Sequence, residues 1–113
     1  MNVHRGAVVL VKLDPTVGHA RRGVRPCIAV SDPAVNADQR FPLIAVVPVT
    51  GTSGTGALYP ELSPSKSGLT KASFALIDHL RSIDKRRIRR IFGRISAHEL
   101  ESVDQGLELF LGL

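Results

Sequence analysis

Two stretches carry side chains suited to handling a phosphate. In Arg21-Arg22-Gly23-Val24-Arg25-Pro26-Cys27-Ile28-Ala29-Val30-Ser31, a basic, glycine-containing turn runs straight into an apolar strand. Gly23 admits backbone angles closed to other residues, and Pro26 pushes Arg25 toward an extended conformation. Arg25 is therefore expected at a strand entrance, its rigid fork of donors facing an anion. A solvated basic loop ahead of a core strand is the competing reading of the same residues. Thr50 follows directly on a third apolar run and offers a hydroxyl to a phosphate oxygen; an ordinary strand-end threonine is the alternative.

Other machinery is missing. The chain has no HExxH, no paired metal cysteines and no nucleotide fingerprint, and its four histidines (His4, His19, His79, His98) are scattered. Neither metal-ligand spacing nor a two-metal carboxylate set emerges, so no metal and no cofactor is expected. The run Thr50-Gly51-Thr52-Ser53-Gly54-Thr55-Gly56 reads as a nest of backbone donors or a plain loop; it lacks the Gly-Lys-[Ser/Thr] ending of a P-loop. Phosphodiester chemistry here must rest on Arg, hydroxyls, backbone amides and His. RNA permits that, because its 2′-hydroxyl attacks the adjacent phosphorus once the strand is oriented and the developing charge stabilised. Arg suits charge stabilisation better than proton donation, its pKa lying above about 12.

Composition agrees with an anionic partner. The 113 residues carry 15 Lys and Arg against 10 Asp and Glu, a net charge of +5. Between Arg81 and Arg94 stand seven basic side chains and one acid, Asp84, whereas residues 95–113 hold four acids and no Lys or Arg. A stripe facing a polyanion and a solvated pair of surface strands both fit this asymmetry. Aromatics make up only 4%, with no Trp, so a platform for stacking bases is not expected. The lone Cys27 sits in an apolar run and reads as core. No run approaches 18 apolar residues, and residues 1–5 lead into a strand without a signal segment, so a soluble, cytoplasmic protein with no membrane association is expected.

The elements that must position these groups read as several short strands and one helix within a single domain, residues 1–113. Strands are expected at residues 6–13, 25–31, 41–49, 57–62 and 73–80, the second apolar on both faces. Pro48 marks an edge or bulge. Asp84 caps a brief helical turn, and a strand centred on residues 90–93 follows, with imperfect alternation around Ile88, Ile91 and Ile95. Ser96 and Glu99 form a capping box, after which Leu100, Val103, Leu107, Phe110 and Leu111 recur at helical spacing. The fold class is α+β: a small barrel-like, strongly bent sheet closed at one end by a C-terminal helix.

The order of these blocks resembles the MazF/PemK family of bacterial toxins, the endoribonucleases of toxin–antitoxin modules. The resemblance is carried by residues 6–18, by Gly23-Val24-Arg25-Pro26-Cys27-Ile28-Ala29-Val30-Ser31, by Val46-Val47-Pro48-Val49-Thr50, and by residues 68–87 and 92–95. It implies an SH3-like, strongly curved barrel of the CcdB-like kind, a homodimer, metal-independent cleavage of single-stranded RNA, and a cognate antitoxin that blocks the RNA groove. Operator DNA would enter only in complex with that antitoxin. The resemblance puts the catalytic roles on Arg25 and Thr50, with Arg25 as phosphate stabiliser or proton donor and Thr50 orienting the scissile phosphate. Arg81 becomes a substrate contact and Ser73 an RNA-positioning or strand-satisfying hydroxyl. The Arg21/Arg22 loop gathers RNA. Two departures stand out. Many members carry an acid where this chain has Ala20, leaving His19 as a neighbouring candidate base. Most have Gln where this chain has His79, which bears on base recognition or dimer contacts. The alternatives are a CcdB-like toxin that binds DNA gyrase and a non-catalytic nucleic-acid-binding regulator.

Overall fold

Val- and Ile-rich runs become strands whose side chains divide by parity between two apolar layers. The computed structural model describes residues 2–13 and 23–113; His19, Ala20, Arg21 and Arg22 lie outside the described residues. Strand β1 (Ala7–Lys12) pairs antiparallel with β2 (Val24–Ala29), and β2 with β3 (Leu43–Thr50). Between them α1 (Pro33–Ala37) is capped by the Asp32 carboxylate and opened by Pro33, which forgoes an N–H that would be unpaired at that position. Strands β4 (Glu61–Leu62), β5 (Ser73–Ala75), β6 (Arg81–Asp84) and β7 (Ile88–Arg94) follow, then α2 (Ala97–Leu111). The strands run β4–β5–β3–β2–β1–β7, with β6 also on β3. The result is a curled antiparallel half-barrel with a C-terminal helix, the α+β architecture the sequence predicts.

Val8, Ile28, Val47 and Val49 pack with Leu62, Ile77, Val103 and Leu107 on the face covered by α2. Their neighbours Val9, Cys27, Ala29 and Val46 pack with Val3, Leu13 and Ile83 on the other face. Burial on both faces is why these strands read as nearly continuous apolar runs. Cys27 is fully buried, and burial pushes its thiol up to about 12 against the smaller pull of the Arg81 charge. It is a neutral core side chain at physiological pH.

Two predicted strands are shorter than expected. Of residues 57–62 only Glu61–Leu62 pairs: Tyr59 N–H closes a turn on Gly56 O, and Pro60 has no N–H to donate to a ladder. The segment 73–80 breaks after Ala75 into a 3₁₀ turn, Ile77–His79, and Arg81 opens β6 instead of trailing a strand. The cause lies in β3. Val46 pairs with Arg81 and Val49 with Ala75, so residues 76–80 stand opposite only Val47 and Pro48. Pro48 lacks an N–H, and the ladder cannot continue evenly past it; its carbonyl instead accepts from Leu76 N–H at 2.8 Å.

The irregular periodicity of β7 has a similar origin. Val8 and Val9 face Gly93 and Ile91, and Leu10 and Val11 face Arg90 and Ile88, so Phe92 and Arg89 are extra residues of two bulges. The capping box of α2 forms as expected: Ser96 Oγ accepts from Glu99 N–H, and Glu99 Oε1 from Ser96 N–H, each at 3.0 Å. Glu99 Oε2 also accepts from Ser63 N–H at 2.7 Å, pinning the turn after β4 to the helix. The buried stripe of α2 ends at Leu107; Phe110 and Leu111 are exposed.

Candidate functional site

Register brings the start of β2 to the end of β3. Cys27 lies opposite Pro48, and two more residues of antiparallel register set Arg25 across from Thr50 on the same side of the sheet. Both residues line one cavity of about 410 Å³, together with Gly51, Thr52, Lys71 and Ser73. Two cations and no carboxylate face this space. Arg25 is exposed on the strand entrance, as Pro26 and Gly23 lead one to expect. Thr50 is only 6% exposed, and its Oγ1 accepts from Thr52 N–H at 3.2 Å, which closes the chain into a tight turn as β3 ends.

Lys71 is a functional candidate that sequence reasoning missed. Gly51 makes its position possible: a Cβ built on Gly51 would stand 2.5 Å from Lys71 Cε and 2.7 Å from Nζ. The ammonium thus lies over a bare stretch of backbone, one residue from Thr50. Ser73 is buried, and its hydroxyl donates to Lys71 O at 2.9 Å, which shapes the segment presenting that lysine. The available signal was a lysine two residues ahead of a strand-opening serine, and it becomes meaningful only once Gly51 is seen beneath it.

His79 lines a second cavity, of about 400 Å³, with Thr50, Thr52, Tyr59 and Leu76. Thr50 and Thr52 form the wall the two cavities share. Asp78 anchors the tyrosine ring of the second one: Tyr59 O–H donates to Asp78 Oδ2 at 2.8 Å, while His79 Nε2 stands 3.9 Å from Oδ1, beyond hydrogen-bond distance. The hydrogen bond to Asp78 raises the Tyr59 pKa, keeping the phenol a neutral donor.

Arg81 is set apart from these groups. It is half-buried, is not among the residues lining either cavity, and donates to Leu13 O at 3.4 Å. Arg87 likewise donates to Lys12 O at 3.4 Å, and Arg86 pairs with Asp84. Part of the basic stripe is therefore spent on local structure, while Arg89, Arg90 and Arg94 remain exposed. The expectations on His19, Arg21 and Arg22 fall outside the described residues. Among the described residues no group of three or more His, Cys, Asp or Glu is placed to hold a metal ion, and no helix is long and apolar enough to cross a membrane.

Residues 4–111 match the family described as the PemK-like, MazF-like toxin of type II toxin–antitoxin systems. Over 117 aligned residues the chain is 37% identical to endoribonuclease MazF9 of Mycobacterium tuberculosis, with 98% of each covered. Its fold is similar to the crystal structure of MazF from Deinococcus radiodurans, with a TM-score of 0.84 at 28% identity, covering 100% of this chain and 99% of that one. The MazF of a MazE–MazF crystal structure from the same organism gives a TM-score of 0.79 at 27% identity, with 100% and 98% covered.

Proposed function

The chain belongs to the PemK-like, MazF-like toxins of type II toxin–antitoxin systems, and from that premise we propose how its 113 residues, as one toxin domain, cut RNA. It is an endoribonuclease that acts on single-stranded RNA without a metal. The scissile phosphate sits in the cavity between Arg25 and Thr50. The 2′-oxygen of the preceding ribose bonds to phosphorus, and the bond to the 5′-oxygen of the next nucleotide breaks. The 2′-hydroxyl proton passes to a base, for which His19 is the candidate in place of the acid absent at Ala20. The leaving 5′-oxygen takes up a proton from water. The products are a 2′,3′-cyclic phosphate and a 5′-hydroxyl.

Arg25 offsets charge on the pentacoordinate phosphorus, where a pre-set cation counts most. Thr50 accepts from Thr52 N–H, which leaves its O–H proton for a non-bridging oxygen. Lys71 adds a second positive charge over Gly51. Arg21 and Arg22 draw the strand in, Ser73 holds the Lys71 segment, and His79 meets the flanking nucleotide. Arg81, which donates to the Leu13 carbonyl at 3.4 Å, adds a further substrate contact. A cognate antitoxin shields the groove. A second copy of the chain covers exposed apolar side chains such as Leu109, Phe110 and Leu111.

The observation that carries this reading is the meeting of Arg25 and Thr50 in one carboxylate-free, doubly cationic cavity. Purified protein incubated with mixed single-stranded RNA and excess chelator is expected to yield fragments with cyclic phosphate and 5′-hydroxyl ends. RNA left intact, with or without added divalent cation, would overturn it.

A further inference from the structure

The basic stripe ends at a cavity that the cleavage chemistry leaves unused. Where β7 gives way to α2, Arg94, Ser96 and Leu100 enclose about 500 Å³ together with Arg5 and with Ser65 and Lys66 of the turn after β4. No carboxylate lines it. Two acids that touch its lining residues are already engaged. Asp104 accepts two hydrogen bonds from the Arg5 guanidinium, and Glu99 accepts from the N–H groups of Ser63 and Ser96. Lys66 and Arg94 are exposed, and neither forms a salt bridge among the described residues. Ser96 Oγ accepts from Glu99 N–H, which leaves its own proton to donate.

A glycine sets the position of Lys66. A Cβ built on Gly93 would collide with the Lys66 carbonyl oxygen and stand 3.2 Å from the Ser67 carbonyl carbon. The 66–67 peptide therefore crosses directly over β7, one residue from Arg94. The bond from Ser63 N–H to Glu99 holds the other end of the turn at 2.7 Å. Backbone contacts thus bring two cations to one cavity without a counter-charge, and an anion entering it relieves their repulsion.

We propose that this cavity binds a phosphate group of the RNA strand away from the cut. The inference rests on the reading of the chain as an RNA-cleaving enzyme. Arg94 and Lys66 offer donors only, and Ser65 and Ser96 add hydroxyls, the set of groups that grips a phosphate oxygen. The place is distinct from the cleavage cavity. Arg94 lies opposite Ala7 and Arg25 opposite Val11, on the two strands that flank β1. Four residues along β1 and two strand spacings across it set their backbones about 16 Å apart. Arg25 also shares the parity of Cys27, on the face away from α2, whereas this cavity opens on the side of α2. RNA that joins the two rounds the sheet at β7, an edge strand on which Arg89 and Arg90 are exposed. A strand held at both points gains affinity from the second, intramolecular contact.

The test uses RNA carrying the mapped cut sequence, made uncleavable by one 2′-deoxyribose and prepared in two lengths, one ending beside the cut sequence and one extended on both sides. Binding is followed by fluorescence anisotropy across a salt series. Wild type is expected to bind the extended strand more tightly and with a steeper salt dependence. Lys66→Ala and Arg94→Ala should each weaken that binding by about fivefold, the size of one exposed ion pair. Together they should lower the log–log salt slope by about 0.7, the share of one phosphate on a single strand. Lys66→Arg keeps the charge and the affinity. The short strand binds all variants alike, and its all-ribose form is cut at the same place and rate. Equal losses on both lengths, or none on either, would overturn the site. Equal wild-type affinity for both lengths, with inorganic phosphate bound by wild type and lost in the variants, would assign the cavity to a free anion and overturn the strand contact. All-ribose RNA left uncut by wild type would instead overturn the cleavage reading.

Discussion

Arg25→Ala is expected to lower kcat by about a thousandfold, with far-UV circular dichroism and melting temperature unchanged. The magnitude follows from the role. A cation facing charge that develops in the transition state is worth about 10²- to 10³-fold as a single hydrogen-bonding group, and arginines on transferring phosphoryl groups reach about 10³- to 10⁵-fold. The loss falls on kcat because charge on phosphorus rises only as the fifth bond forms, so RNA binding, supported by the other cations, falls much less. The fold survives because Arg25 is exposed at the entrance of β2, while the buried residues of that strand begin at Cys27. Arg25→Lys restores part of the rate: the charge returns, but the planar fork that grips two phosphate oxygens does not. Single-turnover cleavage of a defined oligonucleotide, with binding measured separately, checks both statements.

Thr50→Val is expected to cost about a hundredfold in kcat, the lower end of the range for one lost transition-state donor. Valine keeps the β-branched shape at a site only 6% exposed, so packing at the end of β3 is preserved. The Thr52 N–H loses its acceptor, a stability cost of about 1 kcal/mol, which shows as a melting temperature lower by about 4 °C. Thr50→Ser retains the hydroxyl and stays close to wild type in rate. Combined with Arg25→Ala, Thr50→Val adds less than its own single effect, because both side chains act on one phosphate. Strict additivity of the two losses would mean that they serve separate steps.

The two proposed catalytic residues were legible because strand logic reaches them: a proline-fixed strand entrance and a strand end, joined by a register that runs from Cys27/Pro48. Helix α2 was legible for a local reason too, its capping box being complete within four residues. What escaped depended on contacts distant in sequence. Lys71 matters because Gly51, twenty residues earlier, leaves room for it. Tyr59 matters because Asp78 and Gly54 hold its ring against a cavity. The broken strand after Ala75 reflects a missing N–H at Pro48 on another strand, and the faltering alternation of β7 reflects two bulges against β1. The contact of Arg81 with the Leu13 carbonyl, 68 residues away in sequence, was likewise invisible to local reading.

In the proposed mechanism the protein supplies a cradle and the RNA supplies the nucleophile. It is tested most directly by replacing the one ribose 5′ to the mapped cut with 2′-deoxyribose in an otherwise unchanged oligonucleotide. Binding within about twofold of the all-ribose strand and no detectable cleavage at that bond are expected, since a single lost hydroxyl contact is modest against the whole interface. Cleavage of the deoxy-substituted bond at the normal rate would contradict it.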